Sequence, residues 1–298
     1  MPSQHRRAAV LGRPIAHSLS PVLHRAAYRA LGLEGWEYDR REVGEEELAA
    51  FLDGLDPTWA GLSLTMPLKR TVMAHGAPAN RWARELGVAN TVTFDWDATG
   101  APRLALANTD VYGIARAFGE HGAAWPGGRA VILGNGNTAM SALAAYAMMG
   151  GVTQVTVGAR RPERTTGMED FARRHGMRLT VVPLDAAAGA CALADLAVNT
   201  IPGHGADPFA RRLAADARPV RGTLLDVVYD PRPTALMDTW HALGGQAIGG
   251  QWMLLYQAVA QVMLMTGMGA GTRFDSLHDA PRHPELEAAM GRALEEAL

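Results

Sequence analysis

Along the chain, short apolar runs alternate with stretches in which apolar positions recur every three or four residues. Runs at residues 8–11, 36–43 and 62–65 read as strands, and residues 20–31 and 45–55 between them read as helices. The first helix carries Ser20 as a candidate N-cap with Pro21 behind it, and the second opens on three glutamates, which favour a helix N-terminus. Helices over 67–74 and 80–86 follow. Residues 88–94 and 104–107 read as a hairpin around 95–102, a connection rich in turn-forming residues. Residues 119–128, GEHGAAWPGG, break the pattern and read as a linker. Beyond it the alternation resumes with a strand at 130–133, a helix at 138–149, a strand at 152–157, a helix at 168–175 and strands at 178–182, 196–199 and 223–228. A long apolar helix over 252–268 comes last. This alternation predicts an α/β protein in which helices cover the strands.

A length of 298 residues suits one large domain or two ordinary ones, and 48% apolar residues can fill a sizeable core. Charged residues make up 19% and the net charge is -2, which argues against nucleic-acid and anionic-membrane partners. The apolar run after the basic start is too short for a signal peptide and is closed by Arg13 and Pro14. Segment 252–268 falls short of the roughly 20 residues of a span and carries Gln257 and Gln261 one helical turn apart, so it reads as a buried helix. Cys191, the single cysteine, lies between alanines and reads as a small buried hydrophobe in a reducing compartment. A cytoplasmic protein is expected. The 10 histidines show no metal-binding spacing, so no metal is expected, and His17 and His24 read as structural.

Residues 130–139, AVILGNGNTA, place Gly134, Gly136 and Ala139 in G-x-G-x-x-A between a strand and a helix. Glycine at 134 permits a tight turn, glycine at 136 lets a pyrophosphate approach the backbone, and the small Ala139 lets the helix lie close to the sheet. With the next strand in place within about 30 residues, this predicts a dinucleotide site. At the end of that next strand an NAD enzyme carries an acid for the ribose hydroxyl. This chain instead has Arg160, Arg161 and Arg164. Guanidinium forks suit a 2′-phosphate, so NADP(H) is the expected cofactor.

Four polar clusters interrupt the apolar pattern of the first third. Ser18 and Ser20 precede a helix and read either as capping hydroxyls or as a receptor for a small carboxylate. Thr65 and Lys69 flank a helix start, Asn90 opens a strand, and Asp110 follows another, as a helix cap or as an acid. Of 28 basic residues Lys69 is the only lysine, beside 27 arginines. A surface cation can be either type, so a chain this biased keeps lysine where guanidinium fails. An ammonium can give up its proton and a guanidinium cannot, which is the requirement of a general acid/base.

Five ordered motifs then resemble the shikimate dehydrogenase family over nearly the whole chain. GRPIAHSLSPVLH at 12–24 resembles its G-x-P-I-x-H-S-x-S-P-x-x-H, GLSLTMPLK at 61–69 its G-x-N-V-T-x-P-x-K, and GVANTV at 87–92 its G-A-V-N-T. NTD at 108–110 matches directly, and GGQWMLLYQA at 249–258 resembles G-x-x-M-L-x-x-Q-A. The resemblance implies an N-terminal α/β substrate domain over 1–110 and 252–298, with a C-terminal helix returning to it, and a Rossmann-type domain over 111–251. It implies NADPH-dependent, reversible reduction of 3-dehydroshikimate to shikimate, with Lys69 and Asp110 as the catalytic pair. Ser18 and Ser20 would hold the carboxylate, Thr65, Asn90, Asp110 and Gln257 the ring hydroxyls, and Tyr229 would approach the substrate. Gly134, Gly136, Asn137, Ala139, Arg160, Arg161, Arg164, Asn199 and Thr200 would hold the cofactor. A monomer or homodimer is expected. Ser63 stands where the family has Asn, Asn137 where a third glycine is common, Ala159 where Asn often precedes the first arginine, and Val111 where Gly is usual. A quinate dehydrogenase using NAD(P) and a catalytically silent NADP or metabolite sensor are the competing readings.

Overall fold

A strand that is apolar on both faces must be covered on both, and the first run of the chain meets that condition. The structure, a computed structural model, describes residues 5–123, 127–269, 271–278 and 280–298. The chain divides into two units, Met1–Tyr112 with Leu255–Leu298, and Gly113–Leu254. In the first, β1 (Arg6–Gly12) is buried from Ala8 onward. It is followed by α1 (Ser20–Ala30), β2 (Trp36–Glu42), α2 (Leu48–Asp53), β3 (Trp59–Leu64), α3 (Leu68–Thr71), β4 (Ala77–Pro78), α4 (Arg81–Leu86), β5 (Thr91–Trp96), β6 (Pro102–Ala107) and α5 (Asp110–His121). The sheet order is β2-β1-β3-β5-β6-β4. β1 lies parallel to β2 and β3, whereas β5 runs antiparallel to both β3 and β6.

Local chemistry moves several boundaries from those expected. The segment expected as one helix over 45–55 opens as a 3-10 turn, Glu45–Glu47, before α2. Glu47 accepts the Gly44 amide at 2.8 Å and pairs with Arg13, which tightens that first turn. Ser20 does not cap α1: it is the first helical residue, Leu19 is the N-cap, and no side chain caps the helix. Its own amide instead reaches Ser18 Oγ at 3.3 Å. β3 begins at Trp59, earlier than the expected residue 62, because Trp59 already pairs with Arg7. β5 begins at Thr91, so residues 88–90 form a loop rather than strand. α5 takes up the first residues of the expected linker, and residues 124–126 of that segment lie outside those described.

In the second unit, β7 (Gly128–Leu133), α6 (Asn137–Met149), β8 (Val152–Ala159), α7 (Met168–Arg174), β9 (Arg178–Pro183), α8 (Ala188–Cys191), β10 (Leu196–Asn199), α9 (Asp207–Asp216), β11 (Thr223–Asp226), α10 (Ala235–Ala242) and β12 (Gln246–Gly249) lead into α11 (Gly250–Thr266). The strand order β12-β11-β10-β7-β8-β9 is parallel throughout. That is the doubly wound Rossmann arrangement, two βαβαβ halves whose order reverses between β7 and β10. Cys191 is fully buried and burial pushes its thiol up to about 12, so it behaves as a small apolar side chain. No described helix is long and apolar enough to cross a membrane. α12 (Pro284–Ala297) returns to the first unit and packs against α1. It joins β4, α8, α9, α10 and β12 as elements beyond those expected.

The first unit is tied together by one glutamine. Gln261 of α11 donates to Asn90 O at 3.0 Å and to Thr91 Oγ1 at 3.1 Å. Its amide orientation follows, since a carbonyl can only accept, and this turns Oε1 toward Ser63 Oγ at 2.8 Å and His24 Nε2 at 3.3 Å. Ser63 Oγ in turn accepts the Tyr38 hydroxyl at 2.7 Å. Three elements, α1, β3 and the start of β5, thus meet on one side chain, and β2 joins them through Ser63.

His24 is fully buried, stacked on Tyr38 with ring centroids 3.9 Å apart and edge-on to Tyr28 at 6.0 Å. Burial lowers it from 6.5 to about 3, only partly offset by Gln261. The unfolded chain therefore takes up a proton below pH 6.5 that the folded chain refuses until about pH 3. Stability should fall on acidification through that window by up to about 1.4 kcal/mol per pH unit. Urea midpoints measured from pH 7 to 4 check this: His24→Gln should show a shallower decline than the parent. Gln261→Leu leaves several buried partners unsatisfied, each worth about 1–3 kcal/mol. It should lower the urea midpoint by the equivalent of more than about 2 kcal/mol, read by chemical denaturation at neutral pH.

Candidate active site

The site in the first unit is built where β3 and β6 end and β5 begins. Gly12 at the end of β1 makes room for it, since a Cβ there would collide with Thr65 Cγ2 and lie 2.9 Å from Met66 O. Thr65 N–H reaches back to Leu11 O at 2.9 Å, extending the β1–β3 pairing, and Leu68 N–H donates to Thr65 O at 2.9 Å, which closes the turn into α3. Lys69 in α3 is half-buried, while Arg70 beside it is exposed. Lys69 Nζ donates to Asp110 Oδ2 at 2.6 Å, with the two side chains only 15% and 6% exposed.

Asp110 opens α5, where the helix N-terminus favours an anion. The capping contact belongs to Asn108, whose Oδ1 accepts the Val111 amide at 3.3 Å. Asp110 is therefore released from capping. Its second oxygen, Oδ1, accepts from Asn90 Nδ2 at 2.8 Å. The same Nδ2 lies 2.9 Å from Thr109 Oγ1 and 3.3 Å from Gln257 Oε1. The opposite end of Asn90, Oδ1, accepts the Thr109 amide and Thr91 Oγ1, each at 2.8 Å. Asn80 fixes the loop before Asp110 by donating to Asn108 O at 3.0 Å and accepting Asn108 N–H at 3.1 Å. Lys69, Asp110, Asn90 and Gln257 thus form one cluster.

Ser18 and Ser20 lie at the N-terminus of α1, their hydroxyl oxygens 3.3 Å apart. The first-turn amides of α1 are taken, Ser20 N–H by Ser18 Oγ and Val22 N–H by Leu19 O, and Pro21 has none, so this end of the helix offers hydroxyls rather than free amides. Tyr229 lies in the other unit, after β11. Sequence reasoning missed Tyr38 and Asn80, and it singled out Thr91, Thr109 and Ser63 without giving them a role. Gln261 carried a signal, one helical turn from Gln257.

In the second unit the glycine loop joins β7 to α6 at the point where the strand order reverses. Gly134 has φ +105°, and Thr200 Oγ1 occupies the space a Cβ would need. Thr200 itself donates to Leu133 O at 2.8 Å. At Gly136, the N-cap of α6, nothing lies within 4 Å of the Cβ position. The loop therefore leaves an open backbone face ahead of a helix N-terminus, a cradle that fits a pyrophosphate. Ala139 is fully buried against the sheet. Arg160, Arg161 and Arg164 are all exposed, and among the described residues none has a carboxylate within ion-pair distance, Glu163 included. Asn199 is placed differently from a cofactor ligand. Its side chain is buried, donates to Asp226 Oδ1 at 2.9 Å and accepts Ile201 N–H at 3.1 Å. Asp226 is pushed up by burial, against hydrogen bonds from Thr234, Asn199 and Val228.

Relatives of known identity share this architecture. A family model described as the shikimate dehydrogenase substrate binding domain matches residues 10–92. The shikimate dehydrogenase (NADP+) of Natronomonas pharaonis is 34% identical over 268 residues, covering 88% of this chain and 93% of its own. Mycobacterium tuberculosis shikimate dehydrogenase, by its crystal structure, matches with a TM-score of 0.80 at 39% identity over 98% of this chain and 99% of that one. Shikimate 5-dehydrogenase from Thermus thermophilus, crystallised in complex with NADP(H) and shikimate, gives 0.75 at 29% identity over 98% and 100%. A lysine–aspartate pair set in amides, a doubly wound sheet with an open glycine loop, and relatives that cover nearly the full chain agree: the chain belongs to the shikimate dehydrogenase family.

Proposed function

We propose that this chain catalyses the NADP-dependent, reversible interconversion of shikimate and 3-dehydroshikimate. The observation that carries the reading is the 2.6 Å Lys69–Asp110 contact, set among uncharged amides and hydroxyls. The unit Met1–Tyr112 with Leu255–Leu298 serves as the substrate side and Gly113–Leu254 as the nucleotide side. The open face at Gly136, the N-terminus of α6 and the three unpaired arginines fit the pyrophosphate and 2′-phosphate of NADP(H). The chemistry such a cofactor supplies when bound is a hydride exchanged with the ring carbon.

Lys69 carries the proton. As an ammonium it stabilises the negative charge that develops on the carbonyl oxygen and protonates it; in the reverse direction neutral Lys69 takes the hydroxyl proton. Asp110 holds Lys69 at a fixed height over the site. Asn90, Gln257 and Thr65 orient the ring hydroxyls, and Ser18 and Ser20 hold the carboxylate, so that the reacting carbon is presented in one orientation. Tyr229 is assigned to the substrate as well. Gly134, Asn137, Ala139 and Thr200 shape the loop that receives the pyrophosphate, while the Asn199 side chain is bonded to Asp226 and the Ile201 amide. The protein works in the cytoplasm, as a monomer or homodimer.

Purified protein with shikimate and NADP+ should generate the NADPH absorbance band, with weaker activity on quinate and with NAD+. No turnover with shikimate would overturn the proposal. Lys69→Ala should lower kcat by about 10²–10⁴-fold with little change in KM. Lys69→Arg should be nearly as inactive, although it keeps the charge; a kcat near that of the parent would remove Lys69 as the acid/base. Replacing Arg160 and Arg164 together by alanine should raise the KM for NADP+ by about tenfold or more while leaving that for NAD+ within about twofold. Steady-state rates with each cofactor measure this.

A further inference from the structure

Asn135 occupies the first variable position of the glycine loop, between Gly134 and Gly136, where the fold makes no demand on side-chain type. Its two amide hydrogens are both used. Nδ2 donates to Arg161 O at 3.0 Å and to Thr165 Oγ1 at 2.9 Å. These acceptors bracket the 3-10 turn Pro162–Arg164, one on each side. Inside the turn, Arg161 O also accepts Arg164 N–H at 3.0 Å, and Pro162 O accepts Thr165 N–H at 3.0 Å. Those bonds hold the turn's shape but not its position. Among the described residues, Asn135 supplies the only hydrogen bonds that tie residues 161–166 to another segment of the chain.

We infer that Asn135 is a positioning residue for cofactor selection, setting the arginine-bearing turn at a fixed distance from the phosphate loop. The inference rests on the NADP reading above and deepens it. A phosphate on the ribose lies a fixed covalent distance from the pyrophosphate. Long arginine side chains discriminate it only when their backbone is held at the matching distance, since otherwise binding must first order the turn. Asn135 links the two loops directly. Its identity is also constrained: Arg161 O can only accept, so a donor must face it, and an aspartate would set oxygen against oxygen.

The test is equilibrium binding of 2′,5′-ADP and 5′-AMP, two fragments that differ in the 2′-phosphate and need no substrate or turnover. Asn135→Ala should weaken 2′,5′-ADP about five- to tenfold, the loss of two modest hydrogen bonds, and 5′-AMP by less than about twofold. Thr165→Val removes one of the two bonds and should give a smaller loss of the same kind, while Asn135→Asp should lose at least as much as the alanine variant. Equal weakening of both fragments in Asn135→Ala, or an undiminished preference for 2′,5′-ADP in both Asn135→Ala and Thr165→Val, would overturn the inference alone. Parent protein that binds the two fragments equally would overturn the NADP reading and this inference with it.

Discussion

The Lys69–Asp110 cluster depends on the placement of one uncharged amide. Asp110 can face Lys69 along one oxygen because Asn90 holds the other at 2.8 Å. Asn90 can do so because its own oxygen is pinned by the Thr109 amide and the Thr91 hydroxyl. Its backbone carbonyl is pinned in turn by Gln261 and by the Leu64 amide at 2.8 Å. Remove that sequence of contacts and Asp110 becomes an ordinary first-turn acid at the start of α5. The strand β3, the start of β5 and the helix α11 are thereby made to serve a single carboxylate.

Energetics explain why such a pair persists. A largely buried ion pair loses hydration on both partners and is a poor device for stability. Lys69 and Asp110 are 15% and 6% exposed, so much of that loss applies. The compensation visible here is the Asn90 hydrogen bond and the helix N-terminus. Elsewhere the chain spends its charges differently. Arg13 meets three glutamates and Arg25 meets Asp39, all at the surface, where such pairs contribute little. The two kinds of placement match the composition: arginine at exposed, surface pairs, and the single lysine at the buried pair with Asp110.

How much of this was legible in the sequence varies with the range of the interaction. Lys69 stood out by composition, the glycine loop by local spacing, and most strands by their apolar runs. The α/β class and the parallel second sheet followed from that alternation. What escaped depends on contacts between distant segments. Asn199 and Asp226 pair across β10 and β11 in register, which no local pattern encodes, and so a residue expected beside the cofactor has its side chain turned inward. Ser20 looked like a cap because serine before proline usually is one; the Ser18 hydroxyl takes its amide instead. β12 is four residues long, too short to show a period, and α12 is recognisable chiefly through its packing on α1.

The supporting residues share a chemistry that suits their task. Asn90, Asn135, Asn199 and Gln261 each bridge groups from separate segments, and each uses both what an amide donates and its fixed plane to do so. An amide offers donor and acceptor together and carries no charge at any working pH. A carboxylate or ammonium in the same positions would hold the same neighbours but would add its own field beside Lys69 or beside the arginine turn. His24, the buried titratable neighbour of Gln261, is kept neutral by burial for the same effect. With a neutral scaffold around Lys69 and Asp110, the charge at that cluster is set by one lysine and one aspartate, and the turn at 160–164 carries three arginines beside Glu163. Positioning and electrostatics are thereby separated in this fold: amides set where things are, and a few charged side chains set what happens there.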